Sequence, residues 1–399
     1  MYPFLRDGDI IYFKPVKYTD IEDHDILVIK EGEGFYTHRV IYKTDAYIIT
    51  KGDNSFNADV PVLRDDIMGK VYQIKRGKEM LMLEDLFLMQ STLYHKEILS
   101  LNRLLSSNKI PYVILKGLPL HLHYQGRHPK KIYADCDILV DPQYQDKIDV
   151  LLKKNGYNKS DEHLLKDDTY SLPEVTYFKV SHGFAISFDI HYKLFLLKQL
   201  DLSDSLINSF YLSKLAAQFI KNRRKIVIGS KSIPILAPED LIVYLCFHFF
   251  RHNYRDITRL KLIDLIIRKD IHTHVTWVHI EGLIKTHCLG GYVYPVFVLL
   301  IKYFDTPIPS DFMNSLKPRS FLQLFFLKQI EANVFQTQNR LDGGIMRFIY
   351  SWIFSSEPVH KKFILFFQKR FFLFLFWTLT KKNNLRNVTK IRRQKKTSV

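Results

Sequence analysis

Cysteine is scarce in this 399-residue chain. Cys136, Cys246 and Cys288 are far apart and odd in number, which excludes a disulfide framework and a paired-cysteine metal knuckle. A reducing compartment is the expectation. Long apolar runs are also missing. No window reaches the roughly 18 uninterrupted apolar residues that a membrane-crossing helix needs, and the nearest, Phe363 to Leu379, is broken by Gln368, Lys369 and Arg370. The opening Met1-Tyr2-Pro3-Phe4-Leu5-Arg6-Asp7 carries no positive leader followed by an apolar stretch and reads as a cytoplasmic start. There is no internal repeat. Negative charge is in deficit, with 58 Lys and Arg against 41 Asp and Glu, a net +17 and a pI near 9.5. That balance points to an anionic partner: a nucleotide, a nucleic acid or an anionic membrane face.

Apolar residues make up 47% of the chain, enough to bury two or three domains. From Asp9 to Ile74 short β-rich runs alternate with Gly, Asp, Asn and Pro, the pattern of a small all-β unit. Composition changes at Lys75-Arg76-Gly77-Lys78. From about Glu79 to Ser107 apolar residues recur at helical spacing. A buried-strand run, Tyr112 to Leu115, then closes on Lys116-Gly117 before a predicted helix from Leu118 to Gln125. Strands are predicted at Cys136 to Val140, Thr176 to Val180 and Ala185 to His191, with a helix over Gln143 to Asn155. Beyond Pro238-Glu239-Asp240, a sensible helix start, the chain reads as helices: Leu241 to Phe250, Ile257 to Ile267, Tyr292 to Tyr303 and Leu322 to Asn333. The expected fold class is α+β, with an all-β domain over 1–76, an α/β domain with a mixed sheet over 77–235, a helical domain over 236–380 and a basic tail over 381–399. The tail, beside the aromatic Phe363 to Leu379 stretch, suits either a frayed solvated end or peripheral contact with a membrane interface.

Asp135 and Asp137 lie two apart in the strand-like run Ala134-Asp135-Cys136-Asp137-Ile138-Leu139-Val140, so period two puts both on one face. Like charges buried unpaired are costly, and a cation between them is the natural compensation. Asp189 occurs in the same grammar in Ile186-Ser187-Phe188-Asp189-Ile190-His191. If the two strands are neighbours, three carboxylates converge, a hard-oxygen donor set suited to Mg²⁺. His191 is expected to be a hydrogen-bonding partner rather than a catalyst, and His248 a satisfied core histidine.

The order of strand, Lys116-Gly117 turn, helix, Asp135-x-Asp137 and later Asp189 resembles the polymerase-beta-type nucleotidyltransferase superfamily. More narrowly, residues 90–380 resemble an uncharacterised nucleotidyltransferase family found beside peptide and polysaccharide biosynthesis genes. Its Leu-Lys-Gly, Asp-x-Asp-Leu-Leu-Val and Asp-x-His runs are matched at Leu115 to Gly117, Asp135 to Val140 and Asp189 to His191, and Glu239, His248 and Asp264 also fit. The resemblance implies that Asp135, Asp137 and Asp189 are catalytic and hold Mg²⁺ or Mn²⁺. It implies that Lys116, Gly117 and Lys131 bind the nucleotide, that an NTP such as ATP is the donor, and that the acceptor belongs to a peptide or saccharide pathway. Leu118 replaces the Gly or Ser that usually follows the turn glycine, and Lys131 stands where Arg is expected.

The N-terminal motifs are Met1-Tyr2-Pro3-Phe4, Gly8-Asp9-Ile10-Ile11, Thr37-His38-Arg39, Lys51-Gly52-Asp53-Asn54 with Asp59, and Met68-Gly69-Lys70-Val71. Together they resemble type I signal peptidases and LexA-like serine peptidases. In that family the nucleophilic Ser directly precedes Met-x-Pro, and no such Ser is in this chain. The resemblance implies His38 as general base and Asp53 or Asp59 as the acid that orients it, Asp53 being the one chosen. Without the nucleophile the expectation is an inactive domain, the alternative being a peptidase truncated at its N-terminus.

Overall fold

The computed structural model describes residues 5–53, 55–133, 135–160, 174–182, 184–194, 209–271, 274–318, 320–336 and 343–355. The basic tail and the Phe363 to Leu379 segment lie outside these. Among the described residues no helix is long and apolar enough to cross a membrane.

The molecule is α+β, as the sequence patterning predicts. Its first sheet comprises β1 (Ile10–Lys14), β2 (Ile26–Glu31), β3 (Gly34–Lys43), β4 (Ile48–Lys51), β5 (Ile67–Arg76) and β6 (Glu79–Met82), in the order β1-β5-β2-β3-β4 with β6 on β5. Strand β2 shows why it forms. Ile26 and Val28 enter one small core with Val71, Ile74 and Phe87, while Leu27 and Ile29 enter another with Val40, Ile48 and Val62. Alternation of this kind is the period-two signature of a strand apolar on both faces. The sheet runs past Lys75-Lys78 into β6, so residues 79–82, expected as helix, are strand. Helix α1 (Leu83–Ser107) begins directly after it.

The second sheet has the order β12-β13-β7-β8-β11-β10-β9. Its members are β7 (Tyr112–Lys116), β8 (Asp135–Val140), β9 (Asn158–Lys159), β10 (Glu174–Ser181), β11 (Phe184–His191), β12 (Arg224–Ile228) and β13 (Lys231–Ile235). Strand β8 is antiparallel to β7 and parallel to β11, so the sheet is mixed. Around it lie α2 (Leu118–Gln125), α3 (Gln145–Lys154) and α4 (Ser209–Lys221), with α5 (Pro238–Arg251), α6 (Thr258–Asp270), α7 (His274–Thr286) and α8 (Gly290–Phe304) after it in the chain. Then come α9 (Ser310–Leu316), α10 (Phe321–Asn333) and α11 (Gly343–Phe354). One continuous core joins this sheet to the helices, with α5 nearly all apolar and buried.

Asp240, in the first turn of α5, is with His248 one of its two buried polar residues. It is 2% exposed, and among the described residues neither carboxylate oxygen has a hydrogen-bond partner. Burial, joined by the neighbouring Glu239, pushes its carboxyl up to about 6, outweighing the pull of His279 toward the charged form. A folded-state value above the ordinary one means that the protonated carboxyl stabilises the fold below about pH 4, and that this contribution is lost as pH rises through about 6. Asp240→Asn is therefore expected to stabilise the protein by about 1–3 kcal/mol near pH 8 and to change little near pH 4, read by urea melts at both. Equal shifts at the two pH values would refute this.

Candidate active site

Strand register builds the site. Asp137 of β8 is directly paired with Asp189 on one side and with Lys116 of β7 on the other. Thr176 of β10 is paired with Asp189. One row across four strands thus reads Thr176, Asp189, Asp137, Lys116, and Asp135 lies two residues along β8 on the same face. Carboxylate oxygens of Asp135, Asp137 and Asp189 all lie within 4.8 Å of one another. The three acids expected to converge do so.

Gly117 ends β7 and makes this approach possible. Its φ is 120°, and a Cβ there would sit 3.2 Å from the Cα of Cys136 on the adjacent strand. A side chain at this position would strain the backbone and push the β7–α2 turn away from β8. The turn keeps Lys116 over the acids: its ammonium lies 3.0 Å from Asp135 Oδ2 and pairs with Asp137 Oδ2.

A second row supports the first. His191, 1% exposed, places Nε2 2.7 Å from Asp137 Oδ1, and its Nδ1 is 3.5 Å from Glu174 Oε2, which in turn pairs with Arg251 of α5. Thr176 Oγ1 donates to Asp189 Oδ1 at 2.7 Å. Burial raises the Asp137 carboxyl, but Lys116 and His191 more than reverse this and hold it below the ordinary carboxylate range. Asp189 has no such cation. Burial, then Asp137 and Glu174, push it up to about 6. For Lys116 burial works against the charge, and the two carboxylates overcome it, so its pKa stands above the ordinary lysine range.

This donor set fits a divalent cation. Among the described residues, buried Asp137 Oδ2 has no hydrogen-bond partner apart from the ionic contact with Lys116. The raised Asp189 marks an excess of negative charge that one ammonium leaves uncompensated. Hard oxygen ligands in such a cluster suit Mg²⁺ or Mn²⁺.

His191 lies where the residues behind a ligand usually lie, orienting Asp137. His191→Ala is expected to weaken Mn²⁺ binding by about 10–100-fold without abolishing it, as measured by calorimetric titration. Unchanged affinity would leave His191 a packing residue only.

Other expected residues are placed as follows. Lys131 stands in the segment between α2 and β8, its ammonium 5.1 Å from the Tyr133 ring centre. His248 is buried in α5, 4.7 Å from His252 between ring centres, and burial holds its pKa well below the ordinary histidine value. Asp264 bonds Arg268 and Thr306 at 2.8 and 2.7 Å, remote in role from the acids. Glu174, Thr176 and Arg251 were not anticipated. The Thr176 signal was present, since it begins the strand predicted next to that of Asp189.

In the first sheet the structure corrects one assignment. Asp53 does not orient His38. It is held by Arg39, through Nε at 2.7 Å and a second guanidinium nitrogen at 2.8 Å. Asp59 takes the place beside His38, with Oδ2 2.6 Å from Nδ1 and a further bond from Thr50 Oγ1 at 2.6 Å. Arg39, the immediate neighbour of His38, offers a two-pronged guanidinium that fits a carboxylate better than an imidazole does.

The candidate site is thus a glycine turn after one strand, two acids on the next and a third on its parallel neighbour. The chain belongs to the family of uncharacterised nucleotidyltransferases, whose profile matches residues 80–286, and it is an enzyme of that class. No curated protein sequence matches it. Among solved structures it is similar to an antigenic nucleotidyltransferase-like protein from Paracoccidioides brasiliensis, with 13% identity and a TM-score of 0.35 over 58% of this chain and 92% of that one. It is also similar to ANT(2")-Ia in complex with adenylyl-2"-tobramycin, with 12% identity and a TM-score of 0.32 over 49% of this chain and 98% of that one.

Proposed function

We propose that the protein transfers a nucleotidyl group from an NTP, with ATP as the first candidate, to a hydroxyl or phosphate of an acceptor from a peptide or saccharide pathway. The single observation that carries this is the in-register meeting of Asp137 and Asp189 with Asp135 beside them. Asp135, Asp137 and Asp189 would hold Mg²⁺ or Mn²⁺, which when bound lowers the charge on the reacting phosphate and favours the ionised acceptor hydroxyl. Burial and the neighbouring carboxylates favour the protonated form of Asp189, a cation held by the set would favour the ionised one, and Thr176 steadies the side chain by donating to Oδ1. Lys116, beside the acids, would offer its ammonium to the donor's phosphates, and the Gly117 turn would let the backbone approach them.

The test is a thermal-shift screen of NTPs with and without Mg²⁺ or Mn²⁺, since a ligand that binds only the folded state raises its melting temperature. A shift that needs both nucleotide and metal is expected for the wild type. The same shift in Asp135→Asn would defeat the reading.

A second reading attaches to the first sheet, and the His38–Asp59 bond favours it. With Nδ1 engaged, His38 presents Nε2 to the space beside Gly52, where a Cβ would lie 2.8 Å from Nε2 and 2.5 Å from Ser55 Oγ. A serine peptidase needs a hydroxyl within reach of that nitrogen. A fluorophosphonate probe that labels the wild type but not His38→Ala would support peptidase-type chemistry, and no labelling of either would dismiss it.

A further inference from the structure

The seam between the two sheets is built around cations. Arg39, 7% exposed, holds Asp53 while its Nη1 donates to the carbonyls of His24 at 3.0 Å and Lys130 at 3.2 Å. It thus fixes β3 to the segment that leads into β8 and its acids. Lys51 of β4 is the cross-strand partner of Arg39, and Lys131 follows the residue Arg39 grips. Opposite them the Arg255 guanidinium lies 5.5 Å from the Phe56 ring centre, so the loop after β4 meets the loop between α5 and α6. In that second loop Asn253, Tyr254 and Asp256 all have left-handed backbones, with φ of 55°, 54° and 76°. Left-handed non-glycine residues are strained, and their clustering is a mark of functional sites.

Among the described residues neither Lys51 nor Lys131 is matched to a carboxylate in an ion pair, although both are partly buried. Burial pushes both ammonium groups below the ordinary lysine range, Asp256 pulls each back toward the charged form, and Arg259 opposes that pull. Arg259 adds a buried Nε with no hydrogen-bond partner and a 3.5 Å pair with Asp256. Half-buried cations that share a counterion are incompletely neutralised, and a multiply charged anion that enters such a place gains from each of them.

We propose that Lys51, Lys131 and Arg259 form a binding site for a phosphoryl group beside the catalytic carboxylates, so that the first sheet supplies part of the active site. This extends the nucleotidyl-transfer reading and rests on it. More cations than Asp256 alone can neutralise call for a ligand with more than one negative charge, which favours phosphate over a single carboxylate. The group could come from the donor's triphosphate or from a phosphorylated acceptor.

The experiment titrates the full chain with inorganic tripolyphosphate by calorimetry. Lys51→Ala and Lys131→Ala are each expected to weaken binding at least about tenfold, Lys51→Arg to retain most of it, and exposed Lys30→Ala on β2 to match the wild type. Wild-type affinity in Lys51→Ala would overturn the proposal, as would an equal loss in Lys30→Ala. Should Lys51→Ala fail to fold, Lys131→Ala and Lys51→Arg decide alone. Displacement of tripolyphosphate by saturating ATP with Mg²⁺ assigns the site to the donor, and simultaneous binding assigns it to the acceptor. Lysine-dependent tripolyphosphate binding with no response to any NTP would sink the nucleotidyl-transfer reading and leave the anion site standing. NTP and metal binding unaffected by Lys51→Ala or Lys131→Ala, with tripolyphosphate equally unaffected, would do the reverse.

Discussion

Asp135→Asn is expected to lower nucleotide transfer by on the order of a thousandfold while leaving the protein folded. Removing one of the three acids proposed as ligands would weaken both the hold on a metal and the alignment of the donor, effects together worth several kcal/mol of barrier, and roughly 4 kcal/mol corresponds to three decades in rate. Asp135 is the right place to test this because its side chain is 43% exposed and one of its oxygens meets Lys116, which keeps Asp137 as a partner after the change. Asp137→Asn would confound the measurement, since that carboxylate is buried against both Lys116 and His191. Rates from an NTP labelled at the α-phosphate, with a melting curve for each variant, give the answer. A variant with wild-type folding and a rate within about threefold of normal would remove Asp135 from the chemistry.

The second large effect is on stability. Arg39→Ala should cost about 3–5 kcal/mol, because it strands the Asp53 carboxylate and takes donors from two backbone carbonyls at once. The pair is largely buried, with side-chain exposures of 8% and 18%, so solvent screening does little to soften the loss. Arg39→Leu combined with Asp53→Leu should recover much of it, since replacing both members of a buried pair by apolar groups is often close to neutral. Urea denaturation of the two variants separates these cases. A loss under about 1 kcal/mol in Arg39→Ala would show that this network of one ion pair and two carbonyl contacts contributes little to stability.

Much of the site could be read from the chain because period two is a local rule. Asp135 and Asp137 had to share a face, and the apolar alternation around Asp189 marked a second strand with its acid pointing out of the core. Whether β8 and β11 were neighbours could not be read, because strand order in a mixed sheet depends on long-range packing that no window of sequence contains. The same limit misplaced Asp53. Two acids lay downstream of His38, and only the β3–β4 register, with its irregularity between Val40 and Tyr42, settles which one reaches the imidazole. The β12–β13 hairpin was not read, although Gly229 supplies the left-handed residue of its turn with φ of 61°. Pro234 obscured it. That residue lies within β13, which stands inside the sheet between β12 and β7, a place where a missing backbone donor argues against a strand. At residues 79–82 the helical pattern of α1 ran backwards into what is really the last strand of the first sheet, since Met80 and Met82 fit either period.

The four-residue row across β10, β11, β8 and β7 has a bearing on how the protein can fail. Because side chains alternate, a slip of a single residue between β11 and β8 would bring Phe188 or Ile190 opposite Asp137 and turn the carboxylate at 189 to the far side of the sheet. The apolar positions on both faces would tolerate such a misfold better than the chemistry would. A fraction of compact, inert molecules is thus a hazard written into the Ser181–Phe184 hairpin, where the tip residue His182 already sits at φ 50°.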